Sequence, residues 1–177
     1  MIISVEKAKE LIDIPENWTD ERIQRKLKAI EQTIRAYTNN NFQKRACRQT
    51  ADIVGGQFVA VDDVPFKIGD TVEVSESGLN SGLYSVVSVS GDTFTVEEET
   101  TDEGAVLVTQ VAYPDDVVDC ALNLLQWEIT IRAKVGVQSE TLSRHSVTYF
   151  AQDAANQVMG YPVSLLGCLK AYRKARC

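Results

Sequence analysis

The chain changes its hydrophobic grammar twice. Residues 1–45 carry apolar side chains at helical spacing. Residues from about 50 to 112 carry short alternating runs broken by glycine, and helical spacing returns after Pro114. Charge changes at the same places: residues 1–50 hold ten Lys/Arg against seven Asp/Glu, residues 51–116 one against fourteen, and residues 117–177 seven against four. An acidic β block set into a mildly basic helical frame points to an α+β fold. The expected form is a small helical bundle scaffold (residues 1–45 and 114–177) with an inserted antiparallel β-barrel-like domain at residues 46–113.

A chain of 177 residues is long enough to bury a core of this kind. No apolar run approaches the roughly 18 residues a membrane helix needs. The opening MIISVEKAKEL turns charged too early for a secretory signal, so the cytosol of the producing cell is the expected compartment. A net charge of −7 argues against general adhesion to nucleic acid or anionic lipid. It is compatible with a surface past which DNA slides without sticking. Cys47, Cys120, Cys168 and Cys177 form no CxxC pair, and with one histidine they assemble no zinc site. Free thiols are the expectation.

Ser4 is placed to cap a helix to about Ile12, and Thr19 to cap a second. In the second, Ile23, Leu27, Ile30, Ile34 and Tyr37 make one narrow apolar stripe, and Asn39 to Asn41 end it. In the β block, Gly55-Gly56 joins two strands as a tight hairpin, and Val72, Val74, Leu83–Val89, Thr93–Val96 and Ala105–Val111 supply further strands. The acidic run 97–103 reads as solvated loop. Pro114, Asp115 and Asp116 open a long helix ending near Lys134, with Val118, Leu122, Leu125 and Ile129 inward. Residues 137–153 form a long polar loop, expected to order only on binding, with Val147, Tyr149 and Phe150 as the part with strand character. A final helix from Pro162 turns Val163, Leu166, Leu169 and Tyr172 inward.

Reaction chemistry is hard to find. His145 is the sole histidine, and the neighbouring Ser143 and Ser146 are not brought to its imidazole by adjacency in sequence. No phosphate-cradling glycine motif is present. The acidic pairs Asp62-Asp63 and Asp115-Asp116 lack the spacing of a calcium loop. The basic clusters Lys44-Arg45-Arg48 and Arg173-Lys174-Arg176 lack interleaved aromatics for base stacking, Tyr172 excepted. No enzyme, cofactor or metal is expected. The long polar loop and the acidic β block read instead as surfaces for partners.

Four segments together resemble the head–tail connector family of tailed double-stranded DNA phages, also called adaptor or head-completion proteins. They are the short first helix with the amphipathic helix through Tyr37, the long helix after Tyr113-Pro114-Asp115, the loop SETLSRHSVTY (residues 139–149), and GYPVSLLGCLKAYRKAR (residues 160–176). The β block departs from compact members, which have a small excursion there. The stretch GDTVEVSESGLNSGLYSVVSV resembles β-barrel inserts of other phage structural proteins.

The resemblance implies a subunit that is monomeric when free. On the portal protein it joins a ring, usually a dodecamer, that extends the DNA channel and offers a platform to the stopper or tail-completion protein. DNA passes through without sequence-specific binding, and no membrane is involved. Localisation would be the virion head–tail interface, after assembly in the host cytoplasm. By the same matching, Arg144, His145, Tyr149, Tyr161, Tyr172, Arg173 and Arg176 face the portal or a neighbouring subunit. Tyr and Arg are also residue types that dominate interface energetics. Core packing is the alternative for Tyr161 and Tyr172. Glu97, Glu98, Glu99, Asp102 and Glu103 would form an acidic channel lining or outer surface, repelling phosphates. Two other classes stay open: a cytosolic protein-binding module that forms no ring, and a hydrolase using His145 or a thiol. A stopper or tail-terminator is disfavoured, since those are mostly β.

Overall fold

A computed structural model describes residues 1–131, 139–142, 145–148 and 156–175, with backbone alone at 139–142 and 145–148. The fold is α+β and contains a closed six-stranded antiparallel barrel. The chain divides into two compact units, one of Met1 with Asn41–Tyr113 and one drawn from Ile2–Asn40 and Pro114–Cys177.

The first unit is the barrel. Its strands are β1 (Gln43–Val54), β2 (Gln57–Ala60), β3 (Thr71–Ser75), β4 (Gly82–Ser90), β5 (Thr93–Val96) and β6 (Glu103–Val111). They pair in the order β1-β2-β5-β4-β3-β6, and β6 closes on β1 through Ala51↔Val106 and Gln49↔Val108. Closure leaves no free edge to aggregate. Gly55 and Gly56 have φ of 59° and 79°, the double positive that a two-residue hairpin turn demands and that side chains resist. Alternation then sorts β1 and β2: Ala51, Ile53, Phe58 and Ala60 are buried while Asp52, Val54, Gln57 and Val59 are exposed. The centre is aromatic. Phe58 stacks on Phe94 at 4.7 Å, and Phe66 meets Phe94 edge-on at 5.3 Å. Val72, Val74, Val86, Val106 and Val108 fill the wall around them.

The chain enters and leaves this unit side by side. The Ala112 amide donates to the Phe42 carbonyl at 3.0 Å, and the rings of Phe42 and Tyr113 lie 5.0 Å apart. Just inside, the β1–β6 ladder slips: Gln43 pairs with Val111, but the next partners are Arg48 and Thr109. Residues 44–47 are therefore spent against a single residue of β6, a large bulge that leaves Lys44, Arg45 and Ala46 exposed.

The second unit contains α1 (Val5–Leu11), α2 (Asp20–Thr38), α3 (Asp115–Thr130) and a terminal 3-10 helix (Val163–Tyr172) preceded by the short pair β9 (Gln157–Val158) and β10 (Tyr161–Pro162). Ser4 and Thr19 cap α1 and α2, accepting from the amides of Lys7 and Arg22. Ile23, Leu27, Ile30 and Ile34 are fully buried as the stripe requires. Tyr37 is only half-buried: Thr38 takes the inner position at the last turn, its hydroxyl bonded to the Ile34 carbonyl at 2.7 Å. Asn39 ends the helix at φ 49°, the left-handed cap expected of asparagine.

Two expectations are corrected in this unit. The buried face of α3 centres on Val117, Ala121, Leu124 and Glu128, and Val118 and Ile129 are only half-buried. A helix apolar over most of its circumference gives little directional signal, and Glu128 at the centre of the inner face disguised it. The described helix ends at Thr130; Lys134 and Gly136 lie outside the described residues. The final helix, whose type the sequence left open, is a 3-10 helix. Residues 163, 166, 169 and 172 recur every three positions, which lines them up along one row of a three-residue turn. Leu166 and Leu169 are fully buried there. The second correction concerns thiols: Cys120 on α3 and Cys168 on the 3-10 helix are disulfide-bonded, with Cα atoms 6.5 Å apart. Their separation of 48 residues hides the pairing from any spacing rule. Cys47 is a free cysteine.

Part of the polar loop is regular. β7 (Ser139–Leu142) and β8 (His145–Thr148) form an antiparallel hairpin with Ser139↔Thr148 and Leu142↔His145 as its outer pairs. Val147 falls in β8, while Tyr149 and Phe150 lie outside the described residues.

Candidate functional site

Among the described residues no group of three or more His, Cys, Asp or Glu is gathered to hold a metal ion. No described helix is long and apolar enough to cross a membrane. Of the residues singled out from sequence, those at the end of the chain are engaged within it. Tyr161 is buried with its ring 5.4 Å from that of Trp127, so it packs in the core of the second unit. The Tyr172 hydroxyl donates to the Asp116 carboxylate at 2.7 Å, tying the end of the 3-10 helix to the first turn of α3. That hydrogen bond, with some burial and the charge of Asp116, holds the phenol above its usual range. The Arg173 guanidinium lies over the Tyr37 ring at 5.2 Å. The asparagines that end α2 contribute something the sequence did not reveal. Asn39 donates to the Ala175 carbonyl at 2.9 Å and Asn40 to the Tyr172 carbonyl at 3.3 Å, while the Lys174 amide donates to the Thr38 carbonyl at 2.8 Å. The C-terminal end of α2 thus clasps the segment 172–175. An asparagine run reads only as a helix stop, so nothing local flags this role. His145 sits in β8, and its side chain lies outside the described residues, as do Arg144, Tyr149 and Arg176.

The acidic run is not uniformly a solvated loop, and here the sequence reading is corrected. Glu103 begins β6 and reaches across to the β3–β4 turn. Its carboxylate accepts from the Ser77 hydroxyl at 2.5 Å, the Gly78 amide at 2.7 Å, the Asn80 side-chain amide at 2.8 Å and the Leu79 amide at 3.3 Å. These bonds, the serine's foremost, hold its pKa down at about 2. Asn80 is itself buried and pairs twice with the backbone of Thr101, at 2.9 and 2.8 Å. The Tyr84 hydroxyl donates to the Asn80 carbonyl at 2.9 Å. Burial first, then the charges of Glu98 and Glu103, raises that phenol's pKa. Asp102 accepts from the Gly55 amide at 2.7 Å and Glu98 from the Ser85 amide at 3.2 Å. Glu97 and Glu99 remain as exposed side chains.

The product of this clasp is a rigid turn whose tip, Leu79, is 68% exposed. From sequence, Gly78–Gly82 reads simply as a turn segment between two strands. The signal was there in part: Ser and Asn at fixed offsets form side-chain-to-backbone turns. The remote Glu103 that completes them could not be inferred. Compared with models of protein families the chain matches none, and no curated protein matches it in sequence.

Proposed function

We propose that this chain is a structural subunit of a tailed double-stranded DNA phage or prophage particle. On that reading it assembles as a ring under the portal protein, extends the DNA channel, and offers its outer face to the stopper or tail-completion protein. The observation that carries the reading is the order of elements. Two helices, a third long helix, the polar segment 139–149 and the terminal segment 160–176 follow one another in the order on which the connector resemblance rests. The barrel occupies the one position between α2 and α3 where that resemblance admits an excursion. The helices of the second unit would be the bundle-like scaffold, the hairpin β7–β8 with Arg144, His145 and Tyr149 the neighbour- or portal-facing part, and Arg176 its C-terminal counterpart. Tyr161, Tyr172 and Arg173 serve a different purpose, holding the terminal segment in place as far as Ala175. Glu97 and Glu99 would supply the exposed carboxylates of a surface that DNA passes without adhering.

Electron microscopy of the purified chain mixed with portal rings of the same phage or prophage tests this. A second ring stacked coaxially on the portal is expected. Subunits that ignore intact portals would leave a protein-binding module that forms no ring, for which the clasped turn at Leu79 is the specific argument.

A further inference from the structure

The barrel closes its hairpins in two different ways. β1–β2 and β4–β5 turn in two residues each, through Gly55-Gly56 and Gly91-Asp92. The β3–β4 connection uses Glu76 to Ser81 and is fixed by the Glu103 and Asn80 bonds, with Glu76 held at φ 55°. Reversing the chain does not require such a structure. What the extra order achieves is a preorganised leucine held out in solvent, the arrangement that lowers the ordering cost of a contact. The charged side chains of this turn and of the 97–103 connection, whose Glu103 reaches the turn, are all acidic: Glu76, Glu97, Glu98, Glu99, Asp102 and Glu103.

The basic residues of the unit lie elsewhere. It holds four Lys/Arg against twelve Asp/Glu. Three of the four, Lys44, Arg45 and Arg48, are at the far end of β1 from the Gly55 turn where Asp102 docks, and the bulge projects Lys44 and Arg45 outward. Lys67 is on the β2–β3 connection, which bonds to β1 at that same end through Gln49 and the Asp63 carbonyl. That connection also exposes Val61 (81%) and Ile68 (71%). Asp62, Asp63, Asp70, Glu73 and Asp92 outnumber the four basic residues at this end by one, so the positive character is confined to the projecting Lys44–Arg45 bulge itself. From Arg48 to Val54 the strand alone runs about 20 Å, roughly twice the distance over which exposed charges act at physiological salt. One barrel therefore cannot bring its own two ends together, whereas two barrels can.

We infer that the barrels of successive copies meet head to tail, the Leu79 tip and its carboxylates of one copy seating on the Lys44–Arg45 bulge and the Val61–Ile68 connection of the next. Such a contact is heterologous, and repeated with a closing rotation it builds a ring. The inference rests on the ring reading above and assigns it a subunit interface.

The test is sedimentation velocity of the full chain up to millimolar concentration, with two variants that keep their circular dichroism. L79D spoils the tip, and K44E/R45E spoils the bulge. Wild type is expected to self-associate, and each variant to do so about tenfold more weakly or worse, since an exposed anchor is lost or a charge reversed. An equimolar mixture of the two variants retains one good tip and one good bulge, and is expected to give a 1:1 dimer and nothing larger. A wild type that stays monomeric, oligomers indifferent to both variants, or a mixture as monomeric as its components would overturn the inference. If portal-stacked rings still form with both variants in any of those cases, the connector reading survives and this interface alone is lost.

Discussion

Lys26 on α2 donates to Glu128 on α3 at 2.8 Å across 102 residues of sequence. The carboxylate side chain is 3% exposed and the lysine 37%. Replacing Lys26 by Met takes away the ammonium facing a carboxylate that water cannot reach. Breaking a fully buried pair this way costs about 3–5 kcal/mol. Because the lysine is more than a third exposed, part of the attraction is already screened, and about 2–3 kcal/mol is expected. Replacing both residues, K26M/E128M, removes the charge together with its partner and puts apolar side chains beside Leu124 and Leu125; the expected cost is under about 1 kcal/mol. Urea unfolding followed by tryptophan fluorescence is the assay. Trp18 and Trp127 are the two tryptophans of the chain and both belong to the second unit, so the signal reports that unit alone. This matters because a two-unit chain need not unfold in one step. A K26M midpoint equal to wild type, or a double variant no more stable than K26M, would refute the reasoning.

F94A removes the ring stacked on Phe58 and is expected to destabilise the barrel by about 3–5 kcal/mol; near-ultraviolet circular dichroism should show the loss while the tryptophan transition holds its midpoint, and a matching shift in both would mean the units unfold as one. Glu103 titrates at about 2 in the folded chain against an ordinary value of 4.5. A depressed folded pKa stabilises above the unfolded value and loses that contribution as pH falls through the folded one. The gap in melting temperature between wild type and E103Q should therefore be full above pH 4.5 and close toward pH 2; a gap independent of pH would contradict it. Reducing the Cys120–Cys168 bond, or C120S, releases a 48-residue closure worth about 4 kcal/mol in chain entropy. The tryptophan transition should move down accordingly, and denatured protein should show two more thiols after reduction than before.

How far the sequence foretold this structure depended on whether the decisive partner was near in the chain. Ser4, Thr19 and Asn39 act on amides within a turn, so their caps were legible. The stripe Ile23–Leu27–Ile30–Ile34 and the Gly55-Gly56 hairpin were legible for the same reason, since helical period and positive φ are local properties. The barrel's strands could be read, but not their order, because β1 pairs with β6 across the whole unit. Glu128 gave no local sign of burial, as its lysine is 102 positions away. Glu103 looked like one acid among several until Ser77, Gly78 and Asn80 were seen around it. Cys120 and Cys168 gave no sign of each other. The terminal helix is the case in which a local signal was present and only half used: its inward residues were read at a spacing of strict threes, which belongs to the 3-10 form.

The adjacent entrance and exit of the barrel decide how it would bear tension. A pull on Phe42 and Tyr113 in opposite directions acts across the β1–β6 ladder rather than along it. Hydrogen bonds then load one after another, beginning with Ala112 to Phe42 and the Gln43↔Val111 pair, where the bulge has already removed the next rungs. The barrel would open as a zipper does, at low force and from one end. Under the proposed reading, a ring built from such subunits would have to carry any axial load through other contacts and spare this seam.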